Sequence, residues 1–439
     1  MRSMLEGLAG SWPLHVALAF IAVYPLVTAV VWVVTSVMFA LRRERGSDES
    51  FYDIADEDLP VVSLLVPAYC EELVLGATLD ALHRLDYPEY EVVVVDDAST
   101  DATPAIARGH VERDPRFRLV RKTTNEGKAM AMNDAMPVLR GEIVVVVDAD
   151  ARLRPDALRS MVAHFVRLPR VGAVTGNPRV ANRRGLITEL QRLEFTSIVS
   201  ILRRAQVVWG RILTVSGVIS AFRRSALEDV GLFDPSMATE DIDVSWRLQR
   251  RFYDVRYEPR ALIDMTVPET TRALWRQRRR WASGLAQVVR RHWPVITHWR
   301  NRRHWPVFVE ACLSILWAHA FTLLLGFWAV CLAAGVNPPG ASPFPNGWGM
   351  LIASLCLVQL GTGVLLDVRY DRSTVRALAI APLYPLGYWL FSAVVTVRST
   401  LPTLFARRRP DVALWRTVRS APATQTGEGL EAAALRQTA

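Results

Sequence analysis

Between Trp12 and Leu41 the chain carries no Asp, Glu, Lys or Arg, and the run then ends abruptly in "LRRERG". About 20 consecutive apolar residues suffice for a helix to cross a bilayer. The stretch 12–41 therefore predicts a membrane helix, long enough even with a kink at Pro25. A cleaved signal peptide would have a shorter apolar core and a small-residue cleavage site in place of the arginines. Further apolar runs occupy 307–336, 348–366 and 377–404. The stretch from about 60 to 290 is instead mixed, charged and globular in pattern. The plan is a membrane helix, a soluble domain, a basic and aromatic interfacial segment over 291–306, and then more membrane helices.

Arg42, Arg43 and Arg45 follow the first helix, whereas only Arg2 precedes it. Positive residues favour the cytoplasmic side, so the large domain is expected in the cytoplasm. The uncharged "NPPGASPFPNG" then suits an outside loop, and the basic "DVRYDRSTVR" an inside one. The last run contains Pro382 and Pro385 and reads either as a spanning helix or as a re-entrant hairpin through Leu404. Basic residues in "ARRRPDVALWRTVR" pull the C-terminus inside, against a simple count of crossings. The small, polar tail 421–439 has the composition of a disordered segment.

Within the soluble stretch, short β-branched runs alternate with helical patterns. "VVSLLVPAY", "EVVVVDDAST" and "EIVVVVDADA" predict strands, and "ATLDALHRL" and "TPAIARGHV" predict the helices between them. Such alternation gives an α/β domain, a mostly parallel sheet with helices on both faces. Ligands of these sheets bind beyond the carboxyl ends of the strands. Asp96 and Asp97 end one of these strands, and Asp148 and Asp150 end another. A third acidic cluster, Glu240, Asp241 and Asp243, opens "TEDIDVSWRLQRR", where Thr239 could cap a helix and the acids could complement its dipole.

Carboxylates gathered on one site repel each other unless a cation is present. Oxygen ligands without nearby His or Cys favour Mg²⁺ or Mn²⁺, and Mg²⁺ commonly bridges to substrate phosphates. Neither a dinucleotide fingerprint nor a P-loop is present, which leaves phosphate charge to basic side chains such as Lys128 and the arginines of "QRRRW". The net charge of +9 is concentrated beside the apolar runs and in that motif. That distribution suits anionic lipid or a phosphorylated substrate better than nucleic acid, and no nucleic-acid partner is expected. Cys70, Cys312, Cys331 and Cys356 show no metal-like spacing, and three of them lie in apolar runs.

"PAYCEE", "VVDDAST", "NEGKAMAMN", "DAD", "TED" and "QRRRW" stand in this order between membrane segments. Together they resemble the family 2 processive β-glycosyltransferases, which include cellulose, chitin and hyaluronan synthases. "RVGAVTGNPRV", "LTVSGVISAFRRSAL", "YEPRAL" and "ETTRALWRQRRRWASG" are similar to the bacterial synthases of poly-β-1,6-N-acetyl-D-glucosamine within that family.

The resemblance implies a GT-A type nucleotide-sugar-binding domain over 60–290, inserted between transmembrane helices. It implies that UDP-N-acetylglucosamine is the donor and a growing polysaccharide the acceptor. Pro67, Tyr69 and Glu71 would line the uridine pocket, Asp97 would contact base or ribose with Asp96 in support, and Lys128 would lie near the donor. Asp148 and Asp150 would hold the divalent ion. In "TED", Asp241 would be the general base and Glu240 its catalytic neighbour, with the adjacent basic cluster keeping Asp241 ionised. Ser216 and Gly217 would meet the acceptor; Gln277, Arg280 and Trp281 would close over diphosphate and sugar.

A small membrane partner subunit and cyclic di-GMP regulation also belong to the implied picture, in the inner membrane of a bacterium. Another family 2 synthase or a non-processive lipid glycosyltransferase remains the alternative. A D-x-D phosphatase would want Thr or Val where Arg152 stands, and a non-catalytic scaffold would not need the acidic motifs.

Overall fold

The computed structural model describes residues 2–44, 49–337 and 347–405. The tail 421–439, the basic "ARRRPDVALWRTVR" stretch, Arg45 and most of the "NPPGASPFPNG" loop lie outside them. One eight-stranded sheet organises the central domain: β1 (Val62–Ala68), β2 (Tyr90–Asp96), β3 (Phe117–Arg121), β4 (Ile143–Val147), β5 (Ala151–Leu153), β6 (Val171–Val180), β7 (Ile219–Arg223) and β8 (Asp254–Met265). Their order across the sheet is β3-β2-β1-β4-β7-β6-β8-β5. The pairs β3/β2, β2/β1, β1/β4 and β6/β8 are parallel. β7 runs antiparallel to β4 and β6, and β5 antiparallel to β8.

The β-branched runs form strands because both faces of the sheet are buried. Leu64, Val66, Val92, Val94, Val145 and Val147 enter one core with Leu79 and Met161 from the helices Leu75–Leu82 and Ala157–Arg167. Their neighbours Leu65, Val93, Val95, Val144 and Val146 enter the other, with Met132 and Val244. Successive side chains alternate between faces, so a strand covered on both sides is apolar throughout.

β7 has a consequence for the site. Its antiparallel register sets Ile219 opposite Val147. The segment entering β7 therefore lies at the carboxyl end of β4, and Asp148 N donates to Val218 O at 3.2 Å. A parallel strand in that place would have put residues 214–218 at the opposite end of the sheet. These residues form an irregular approach to the strand, with Gly217 outside the ladder.

Among the described residues, three helices are long and apolar enough to cross a membrane: Trp12–Glu44, Trp299–Ala333 and Gly347–Asp367. The first continues through Pro25 and closes on a π-helical turn, Ala40–Glu44. The basic and aromatic segment forms two 3₁₀ turns, Trp293–Thr297 before the second helix and Trp299–His304 as its first turns. The last apolar run is a bent pair, Arg372–Ile380 and Tyr384–Leu404, at 63°. It provides a fourth crossing if the pair acts as one span.

Domain and apolar helices are joined by an element that the hydropathy pattern does not reveal. Between β6 and β7 the chain forms the helices Leu186–Leu193 and Ser200–Trp209, joined by a π-helical turn, Glu194–Val199. Ser200–Trp209 packs along Trp12–Phe39. Its Arg204, fully buried, reaches Glu44 at 2.6 Å and Asp367 at 2.9 Å, the ends of two apolar helices. Arg179 of β6 meets the other oxygen of Asp367 at 2.9 Å. Buried charges are costly unless paired, so this network fixes both helix ends against the sheet. On the other side, the helix Thr271–His292 packs along Trp389–Leu404.

Candidate active site

β1, β2 and β4 deliver their carboxyl ends to one edge of the sheet, and the order reverses at β1. Such a switch point opens a crevice. Pro67 stands opposite Val95 in β1, next to the terminal Ala68, with half-buried Tyr69 and buried Glu71 just beyond the strand. The loops here are laced by side chains: Cys70 N donates to Ser99 Oγ at 2.9 Å and Glu71 N to Thr103 Oγ1 at 2.8 Å.

Asp96 and Asp97 are both inaccessible to solvent. Asp96 accepts from Ser99 N at 3.1 Å and lies 3.3 Å from Arg121 Nε. Asp97 accepts from Glu126 N at 3.1 Å and Gly127 N at 2.8 Å, with Lys122 Nζ at 3.5 Å. Asp97 thus anchors the "NEG" loop, which leads into the helix Lys128–Ala135, while Asp96 holds the turn after β2.

Lys128 is the hub. Its Nζ donates to Asp148 Oδ1 at 2.6 Å and to Gly217 O at 3.1 Å, and Glu240 Oε1 lies at 3.5 Å. Burial alone would lower the lysine's pKa, but Asp148, Glu240 and Asp241 outweigh it and hold the ammonium well above its ordinary range. Asp150, half-buried, follows Asp148 in the same turn.

Glu240 and Asp241 open the helix Glu240–Arg250. Thr239 stands at its N-cap but makes no capping bond, contrary to the expectation from its sequence position; its buried Oγ1 has no hydrogen-bond partner. The reason is packing. A Cβ on Gly284 would lie 2.3 Å from Thr239 Oγ1, so the helix carrying "QRRRW" seats directly against Thr239 through a bare glycine.

Asp241 adjoins Gly217, where an added Cβ would meet its Oδ2 at 3.2 Å. Its main chain is tied to the same segment, since Ser245 Oγ donates to Asp241 O at 2.6 Å and accepts from Val215 N at 2.9 Å. Ser216 N donates to Thr175 Oγ1 on β6 at 2.8 Å. Burial, then the charge of Glu240, pushes the Asp241 carboxyl up to about 6, against the pull of Lys128, the Ile242 amide and Arg280. The expected basic cluster is present, but it is outweighed and does not hold the carboxylate in its usual range.

Two other expectations change. Asp243 does not join the acidic site: two residues along a helix turn a side chain by about 200°. It faces Arg247 Nε at 2.7 Å and His292 Nε2 at 2.9 Å, with Arg291 at 3.6 Å. Burial alone would raise its pKa, but these partners bring it below the usual carboxylate range. The arginines of "QRRRW" also divide. Arg278 is bound to Glu194 through both guanidinium nitrogens, at 3.0 and 2.5 Å, and Tyr388 donates to the same carboxylate at 2.9 Å. Arg280 is exposed and near enough to lower Asp241, Gln277 is half-buried, and Trp281 lies under the Arg278 guanidinium at 4.3 Å, edge-on to Phe195.

Lys128, Asp148, Gly217, Glu240, Asp241 and Arg280 therefore share one site, flanked by Asp150, Ser216, Gln277 and Trp281. Sequence reasoning missed Glu194, Thr175 and Ser245, which position this site. Glu194 had a signal in retrospect, being an acid inside an amphipathic segment opposite a run of arginines.

Among the described residues no group of three or more His, Cys, Asp or Glu side chains is arranged to enclose a metal. Asp148 and Asp150 do fit a hard cation that completes its shell with substrate oxygens, because such ions take one or two protein carboxylates.

The profile described as glycosyltransferase like family 2 matches residues 60–284. The chain belongs to the family 2 glycosyltransferases, with a GT-A domain and flanking apolar helices that make it a membrane protein. Among its relatives, a poly-beta-1,6-N-acetyl-D-glucosamine synthase of Staphylococcus epidermidis is 32% identical over 404 residues, covering 90% of this chain and 96% of that protein. The synthase of the same name from Staphylococcus aureus strain COL is 32% identical over 399 residues, again 90% and 96%. A mannosyltransferase from Pyrobaculum calidifontis, solved with GDP-Man and Mn²⁺, has a TM-score of 0.60 and 25% identity, covering 88% of this chain and 99% of its own.

Proposed function

We propose that this chain polymerises N-acetylglucosamine from UDP-N-acetylglucosamine into a β-1,6-linked chain and passes the product across the membrane. The convergence of Asp241, Glu240, Asp148 and Lys128 on Gly217, at the carboxyl ends of the strands, carries the reading of inverting transfer. Relatives of that printed activity, alike over nine-tenths of the chain, support the choice of sugar and linkage.

In this mechanism the acceptor's terminal sugar lies against Ser216 and Gly217, on the face of Trp281 opposite the Arg278 guanidinium, a flat surface that suits a pyranose. Asp241 accepts the proton of the acceptor hydroxyl. The oxygen attacks the anomeric carbon opposite the diphosphate, the bond from C1 to the UDP oxygen breaks, and the α-linked donor gives a β-linked product. Lys128 and Arg280 offset the charge of the departing UDP, with Gln277 beside them, and Glu240 tunes the base. Pro67, Tyr69 and Glu71 line the uridine end, where Asp97 and Asp96 shape the loop. Asp148 and Asp150 would hold Mg²⁺ or Mn²⁺, which when bound neutralises diphosphate charge; the Mn²⁺ in the mannosyltransferase structure supports a divalent ion.

The catalytic domain faces the cytoplasm, where UDP-sugars are made, from the inner membrane of a bacterium. A small membrane partner subunit and cyclic di-GMP control are part of the same proposal. Membranes containing the chain, given UDP-N-acetylglucosamine and Mg²⁺, are expected to make a polymer that a β-1,6-specific hexosaminidase digests and chitinase leaves intact. Preference for UDP-glucose, or removal of the product by chitinase, would refute the assignment of sugar and linkage.

A further inference from the structure

Where the end of the first membrane helix meets β8 and the helix Ser200–Trp209 lies a cavity of about 210 Å³. Three arginines line it: Arg42 and Arg43 in the π-helical turn that closes the membrane helix, and Arg256 from β8. Its remaining wall is apolar, with Met38 and Phe39 from the helix end and Val208 from Ser200–Trp209. Pockets that enclose drug-sized ligands run from about 300 to 1,000 Å³. This one is smaller, suited to a headgroup and not to a nucleotide sugar.

The guanidiniums are poorly compensated. Arg42 and Arg43 make no hydrogen bond or ion pair among the described residues. Glu44, the next acid along the chain, is committed to Arg204 and Arg369. Arg256 has only Asp254, at 3.8 Å, which Arg211 shares at 3.9 Å, and its buried Nε has no hydrogen-bond partner. Burial lowers the Arg256 pKa below the usual arginine range; Asp254 opposes this and Arg43 adds to it. Three cations held together in this way favour an anion between them.

Position selects the kind of anion. Met38 and Phe39 lie near the end of the uncharged run Trp12–Leu41, and Arg42 and Arg43 are the first charges after it. The cavity thus lies where hydrocarbon gives way to headgroups, and Val208, 41% exposed, continues its apolar wall outward. We propose that this cavity binds the phosphodiester of an anionic phospholipid, phosphate on the three arginines and acyl chains along Met38 and Val208. A soluble phosphate would satisfy the same arginines but would leave the apolar wall unused.

Native mass spectrometry of the full chain in mild detergent, with phosphatidylglycerol or phosphatidylcholine added, tests the site. Basic residues at an anionic surface contribute about 1 kcal/mol each, so a preference for phosphatidylglycerol of at least about tenfold is expected. Arg42→Gln, Arg43→Gln and Arg256→Gln combined should abolish that preference, and inorganic phosphate should not displace the lipid. Val208→Trp keeps every charge but fills the cavity, and it should reduce occupancy as well; it decides the matter if the triple variant does not fold. UDP release in neutral detergent reports folding, since none of these residues belongs to the catalytic site. Equal binding of phosphatidylcholine, retained preference in the triple variant, undiminished binding in Val208→Trp, or displacement by inorganic phosphate would overturn the proposal.

Discussion

Asp241 and Asp243 stand two positions apart on one helix with opposite electrostatics. The first is raised by burial and Glu240, the second lowered by His292, Arg247 and Arg291 despite its burial. Only a carboxylate that can hold a proton near neutrality can exchange one usefully during transfer. With Asp241 at about 6, its base form is depleted as pH falls. The rate is therefore expected to drop roughly tenfold per unit below that value and to level off above it. Glu240→Gln removes the like charge, so the acid limb of kcat/KM should move to lower pH. A profile flat from pH 7 to 5, or a shift in the other direction, would contradict the assignment of the base. Residue identities were legible at this scale, but their division was not. "TED" displays three acids alike, and only the turn of the helix and the partners on Thr271–His292 separate Asp243 from the other two.

At the scale of elements, β1, β2 and β4 were legible, because both-face burial writes a β-branched run directly into the chain, whereas the other five strands of the sheet were not read from it. The insert 186–209 was not legible. Its arginines are buried: Arg203 donates to Gly176 O at 3.0 Å and Arg204 pairs with Glu44 and Asp367. No local pattern shows that a partner acid lies on a distant membrane helix. The direction of β7 was equally hidden, although it brings Gly217 to Asp241. Contact between Gly284 and Thr239 gives the element-scale prediction. Gly284→Ala places a methyl within 2.8 Å of Thr239 Cβ, an overpacking that typically costs about 1–3 kcal/mol. Transfer activity should fall at least about tenfold, and thermal melting in detergent should show lower stability. Adding Thr239→Ala removes two of the three clashing atoms and should restore part of both. Wild-type activity in Gly284→Ala would show that the seating of these two helices does not position the base.

For the whole molecule, hydropathy predicted the plan of one apolar helix, a domain and further apolar helices. It left the last segment open, and the structure gives a reason: the chain bends by 63° between Arg372–Ile380 and Tyr384–Leu404. There the π-helical turn Tyr384–Tyr388 packs beside Arg278 and Glu194, so the segment is shaped by the helix Thr271–His292 as well as by the bilayer. The proposed orientation is testable by labelling. In a variant lacking Cys70, Cys312, Cys331 and Cys356, an impermeant thiol reagent outside intact cells should modify Asn337→Cys but not Glu57→Cys. The reverse pattern would place the donor site outside the compartment that makes UDP-sugars.

The account rests above all on Asp241 as the group that takes the acceptor's proton. Asp241→Asn keeps the shape of the side chain and removes its capacity to accept a proton, so it separates binding from chemistry. Its decisive measurement is the rate of polymer formation from UDP-N-acetylglucosamine in the purified variant, alongside the affinity for UDP and the melting temperature of the same preparation. General-base removal typically costs about 10²–10⁴ in rate. A loss of that order is expected, with UDP affinity close to wild type and melting no lower, since a buried carboxylate held at about 6 is itself a cost to the fold. Turnover within a few-fold of wild type in a variant that binds UDP normally would contradict the account.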